Sequence, residues 1–115
     1  MPLPRDTQRP MSQFHSSAPR ALAHELERLE ATFDEAAGRA GEGEDLAFAR
    51  RAGAHLRRLA GHLDADAYAA AEQALDDACR VLDAAEPAAP LLMLEYSRAR
   101  LSDALRRMRR LRPAA

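Results

Sequence analysis

The chain has 115 residues, of which 47% are hydrophobic, and this is typical of one globular domain with a single core. Isoleucine and tryptophan are absent and Val81 is the only valine, which argues against a sheet, whereas the abundant Ala, Leu, Arg and Glu favour helices. The formal net charge of −1 gives no long-range field that would steer the whole molecule to nucleic acid or to an anionic membrane.

Residues 1–16 are predicted to form a flexible tail. The segment contains three prolines and scattered polar residues but no repeating apolar pattern. Such a segment has no apolar surface to bury that would offset the entropy cost of ordering it. The predicted organisation is therefore a tail over 1–16 and a helical bundle domain over 17–113.

The first helix is predicted to begin near Ser16 or Ser17, either of which can cap it, and to end at about Gly38. Its apolar residues follow a 4-3-4-3 spacing, which places them on one face. They are Leu22, Leu26, Leu29, Phe33 and Ala36. The segment 38–45 contains three glycines, which predicts a flexible connection.

The second helix is predicted from about Asp45 to Leu63. The residues expected to face the core are Leu46, Ala49, Gly53, Leu56, Leu59, Ala60 and Leu63. With that face turned inward, four basic residues at 4-3-4 spacing form one column on the solvent side. This column, called the Arg/His stripe below, consists of Arg51, His55, Arg58 and His62.

The third helix is predicted from its cap at Asp64 to about Glu86, where Pro87 and Pro90 end it. Its inward residues are Tyr68, Ala71, Leu75, Ala78, Cys79 and Leu82. The fourth helix is predicted from about Pro90 to Leu111. Its inward residues are Leu94, Ser97, Leu101, Ala104, Leu105 and Met108.

These four segments predict an all-α fold, an antiparallel up-down four-helix bundle behind a disordered N-terminal tail. Short connections make consecutive helices antiparallel neighbours, and heptad-like spacing suits shallow crossing angles. The alternative is a longer helical hairpin that dimerises. The Ala-rich faces bury little area, so dimerisation is a plausible supplement to the core.

The Arg/His stripe is the most specific candidate site in the sequence. Two guanidinium groups and two imidazoles on one face suit the binding of an anion or of a carboxylate-bearing partner surface. The alternative interpretation is an ordinary solvated helix face.

The sequence around His55 resembles a histidine-phosphotransfer domain, a four-helix bundle with an exposed histidine in an Ala-His-x-Leu-Lys-Gly motif. Ala54, His55 and the cation Arg58 match that motif, whereas Arg57 and Leu59 stand where it has Leu and Gly. The resemblance implies a signalling domain in which His55 accepts phosphate.

The last part of the fourth helix carries the densest positive charge, a basic C-terminal patch of Arg106, Arg107, Arg109 and Arg110. Cations in a last turn complement the helix dipole, and the same charges suit nonspecific nucleic-acid binding. The charges surround the helix, and no aromatic residue lies among them to stack on a base. Nucleic acid is therefore not the expected partner.

Other chemistry finds little support in the sequence. No Glu-x-x-His pair is present for a bundle metal site, and no cofactor motif or small-molecule substrate site is evident. Cys79, the single cysteine, is expected to be a small core residue in a reducing compartment. No apolar run reaches the length of a membrane span, and a cytoplasmic location is expected.

The predicted function is therefore non-enzymatic protein-protein interaction, of the adaptor, secretion-chaperone or regulatory type, with another protein or with a second copy as a homodimer. Two alternatives stay open. One is phosphotransfer through His55, and the other is nonspecific nucleic-acid binding through the basic C-terminal patch. The exclusively Arg basic residues are typical of a GC-rich bacterial genome.

Overall fold

The computed structural model describes the backbone of residues 3–111 and the side chains of residues 19–111. Within residues 3–111 the chain forms four helices and no strand, which confirms the all-α prediction. The helices are α1 (Leu3–Gly38), α2 (Leu46–Leu59), α3 (Ala65–Asp83) and α4 (Ala88–Leu111). The assigned start of α1 precedes the predicted one, but the side chains of the proposed tail, 1–16, lie outside the described residues, and its flexibility stays a prediction.

The four helices form the predicted up-and-down bundle. Residue 25 of α1 lies against residue 58 of α2, and residue 35 lies against residue 51, so the two helices run antiparallel. α3 packs against each of the other three helices, most extensively against α4. α3 is therefore the central helix of the fold.

The core consists mainly of small side chains around α3. Nearly every turn of α3 is buried, and its alanines let the neighbouring helices approach closely. The buried apolar residues of α3 are Ala67, Ala70, Ala71, Ala74, Leu75, Ala78, Val81 and Leu82. The predicted inward faces of α1 and α4 are confirmed as the sides that pack on this core, through residues that include Leu29, Phe33, Leu94 and Leu101.

The predicted inward face of α2 is right at Leu59, which is buried, and wrong at Leu46, which is 63% exposed. The buried residues of the helix are Phe48, Ala52, His55 and Leu59. Apolar residues occur on several sides of this short helix, and the orientation that buries the Phe48 ring removes the largest apolar surface from water. This orientation of α2 places His55 in the interior.

The ends of the helices are fixed by side-chain caps and by one loop. Asp45 and Asp64 accept hydrogen bonds from the backbone N–H groups of Phe48 and Ala67, at 3.0 and 2.9 Å, and so cap α2 and α3. The loop between α1 and α2 donates two backbone hydrogen bonds, of 2.9 and 2.7 Å, to carbonyl groups in the last turn of α3. The loop therefore holds α1, α2 and α3 together at one end of the bundle.

Candidate functional site

His55 lies inside the bundle between α1 and α2, and it is only 4% exposed. Its Nδ1 is 2.6 Å from Glu25 Oε2, and its Nε2 is 2.9 Å from Thr32 Oγ1. Glu25 and Thr32 are also buried, two turns apart on the side of α1 that faces α2. Both nitrogens of the imidazole are therefore occupied by partners on the neighbouring helix.

The hydroxyl group of Thr32 connects His55 to the backbone of α1. Thr32 Oγ1 donates a hydrogen bond to the Arg28 carbonyl oxygen at 3.0 Å and lies 2.9 Å from His55 Nε2. On the other side of the ring, Nδ1 faces the Glu25 carboxylate. The imidazole is therefore held against α1 through both of its nitrogens.

Glu25 is the anionic centre of this network. Its second oxygen, Oε1, accepts a hydrogen bond of 2.9 Å from Arg58 Nε, so the buried carboxylate lies between two donors from α2. Burial alone would raise the pKa of Glu25, but the hydrogen bonds from His55 and Arg58 outweigh it and hold the pKa below its ordinary range. Glu25 is thus a carboxylate whose negative charge is compensated by donors within the chain.

A second ion-pair group lies one turn farther along the same helix contact. Arg51 binds Glu35 through both oxygens, at 2.8 and 2.9 Å, and Arg39 binds Glu35 and Asp45, each at 2.7 Å. The hydrogen bonds from Arg51 and then from Arg39 lower the pKa of Glu35 to about 2. α1 therefore supplies carboxylates for two arginines of α2, Arg51 and Arg58.

These contacts change the interpretation of the Arg/His stripe. The expected common solvent-facing column is wrong for His55, which is buried, and both arginines already have carboxylate partners within the chain. His62 lies beyond the end of α2, in the turn before α3, and is half-buried. Most of the stripe therefore forms a contact between α1 and α2, and its proposed anion-binding role stays a prediction.

The basic C-terminal patch is on the surface of α4. All four of its arginines are exposed, and Arg106 forms an ion pair with Asp103 one turn earlier. Arg109 and Arg110 lie in the last turn, where their charge complements the helix dipole.

Two further polar groups lie in or near the core. Asp77 of α3 is buried and accepts hydrogen bonds from Ser97 of α4 at 2.9 Å and from Gln73 at 3.1 Å. Cys79 is half-buried, and burial, followed by the nearby Asp76 carboxylate, raises the pKa of its thiol. Among the side chains of residues 19–111, no group of three His, Cys, Asp or Glu residues is arranged to hold a metal ion.

The largest unexplained surface feature is on the first half of α4. Leu92, Met93 and Tyr96 are 66%, 52% and 69% exposed, and their i, i+1, i+4 spacing places them together on the helix surface. Leu94 and Ser97, the core-facing residues of the same half, are buried. The three exposed residues are called the α4 face below, and they are not among the site residues predicted from the sequence.

Glu25, Thr32 and Asp77 were also missed. Glu25 and Thr32 are seven residues apart and therefore share a side of α1, which was the available signal. In the same way, Phe48, Ala52, His55 and Leu59 have the 4-3-4 spacing of a buried face. A polar residue at such spacing can be assigned to a buried polar contact only when the residues of the facing helix are known.

Comparison with protein-family models, curated proteins and solved structures gives no match to this chain. In the segment from residue 3 to residue 111, none of the helices combines the length and the hydropathy needed to cross a membrane.

Proposed function

We propose that this chain acts through protein-protein interaction, as a non-enzymatic adaptor or regulator in a bacterial cytoplasm, and that the α4 face is its contact surface. The observation that carries the proposal is the exposure of Leu92, Met93 and Tyr96 side by side on one helix. Scattered exposed apolar residues are normal on a protein surface, but a contiguous group is typical of a binding surface. Tyr and Met are also enriched where proteins meet.

The surroundings of His55 favour a structural role over phosphotransfer. An imidazole that accepts phosphate needs an accessible nitrogen with a free lone pair, whereas the nitrogens of His55 face Glu25 and Thr32 in the interior. The carboxylate of Glu25 would also repel an incoming phosphate. Phosphotransfer therefore has weaker support than interaction through the α4 face.

The test is photo-crosslinking in the cells in which the chain naturally occurs. A benzophenone-bearing phenylalanine replaces Tyr96, and a matched variant carries it at Ser102, an exposed position on the same helix outside the α4 face. We expect a discrete crosslinked protein species from position 96 and none from position 102. No adduct at position 96, or equal adducts at both positions, would overturn the proposal.

A further inference from the structure

We infer that the partner of the α4 face is a second copy of this chain, packed against it by an antiparallel contact between the two α4 helices. This inference rests on the proposed function, because it assigns an occupant to the same surface. It is carried by the distribution of exposed apolar and charged residues along α4 and in the turn that precedes it.

A two-fold axis near Met93 would place the apolar residues of both copies against each other. Tyr96 follows Met93 by three residues, so each tyrosine ring would lie beside the start of the other α4 helix, about 5 Å from the axis along the helix. Leu92 and Met93 lie next to the axis itself. The contact would bury six large side chains, three from each copy, that are exposed to water in the separate chains.

The charges on either side of this apolar group are opposite in sign. Arg100 stands seven residues after Met93 on α4, about 10 Å from the proposed axis along the helix, and Glu86 stands seven residues before Met93, in the turn that immediately precedes α4. In an antiparallel pair, Arg100 of each copy would therefore lie near Glu86 of the other. A parallel pair would instead place like charges together, so the charges favour the antiparallel arrangement.

Both charged residues are available for such a contact. Glu86 and Arg100 are exposed, and among the side chains of residues 19–111 neither makes an ion pair. Arg98 of the same helix, by contrast, pairs with Glu30 and Asp34 in its own chain. The thin, Ala-rich core adds a reason for self-association, because the contact would add buried apolar area to a core of small side chains.

The experiment measures the dimer dissociation constant by sedimentation across a wide concentration range. We expect the full wild-type chain to form dimers and Tyr96→Asp to be monomeric, with unchanged helical content by circular dichroism. Glu86→Arg and Arg100→Glu should each raise the dissociation constant by about tenfold, because each variant replaces two opposite-charge contacts by like-charge contacts.

The decisive sample is an equimolar mixture of the Glu86→Arg and Arg100→Glu variants. In the mixed dimer both contacts again join opposite charges, so the mixture should associate about as tightly as the wild type and much more tightly than either variant alone. Ser102→Glu is the matched control, a charge change on the same helix outside the α4 face, and should leave the constant unchanged.

A wild-type chain that stays monomeric up to its solubility limit would overturn the inference, and so would a mixture no tighter than the separate variants. The proposed function is tested separately by the crosslinking at position 96. If the chain is monomeric and position 96 crosslinks to a different protein, the proposed function stands. Only the second copy is then excluded as the partner.

Discussion

His55 shows how a single residue can join two helices when its polar groups are fully matched. Its imidazole contacts Glu25 and Thr32 of α1, and Arg58 completes the group around the carboxylate. Buried polar groups cost free energy when unpaired, but among the side chains of residues 19–111 none is left without a partner. The residue therefore fixes how α2 is rotated against α1.

Replacing His55 by alanine should destabilise the fold substantially. The His55→Ala change leaves Glu25 buried without one of its two donors and removes a buried ring, so we expect a loss of about 2–4 kcal/mol in the free energy of unfolding. Urea unfolding followed by circular dichroism measures the change. His24→Ala is the matched control, because His24 is exposed on α1, and it should alter stability by less than about 0.5 kcal/mol. Equal effects of the two variants would contradict the assigned role.

At the scale of the elements, the sequence predicts helices well and the rotation of one helix poorly. The connection at 38–45 and the caps Asp45 and Asp64 were recognisable because glycine clusters and capping residues act locally. The inward side of α2 was not recognisable, since its apolar residues define two competing faces. The choice depends on which face meets α1 and α3, and a single helix does not contain that information.

The loop between α1 and α2 contains two glycines with positive φ, Gly41 and Gly43. Gly41 has φ of 81°, a value that other residues adopt at a cost, and its N–H donates to the Val81 carbonyl at 2.9 Å. Gly41→Ala should therefore destabilise the fold by about 1–2 kcal/mol. Gly38→Ala, in the last turn of α1 with open space around it, should be neutral or stabilising by up to about 1 kcal/mol. Thermal unfolding of the two variants checks the contrast, and a destabilised Gly38→Ala would count against it.

At the scale of the whole molecule, the fold holds its charges in complementary rows. The carboxylates Glu25 and Glu35 of α1 face Arg58 and Arg51 of α2. The sequence showed the arginines of α2 as a stripe but not their partners. Glu35 and Arg51 are 16 residues apart along the chain and Glu25 and Arg58 are 33 apart, and only the antiparallel packing brings them together.

This charge arrangement makes stability depend on pH in the acid range. The pKa of Glu35 is about 2 in the folded chain against an ordinary value of 4.5, and the pKa of Glu25 is lowered as well. The unfolded chain therefore takes up protons first as the pH falls. The stabilisation is complete above about pH 5 and decreases as the pH drops toward 2.

Glu35→Gln should remove the part of this dependence that belongs to Glu35. At pH 7 we expect the variant to be less stable by about 1 kcal/mol, because Arg51 and Arg39 lose an anionic partner at a partly exposed site. As the pH falls from 5 to below 2, the wild type loses the same contribution, so the two stability curves should converge. Denaturant unfolding at several pH values measures both curves, and Glu27→Gln, at an exposed position of the same helix, is the control. Parallel curves for wild type and Glu35→Gln across this range would show that the carboxylate does not supply the pH dependence.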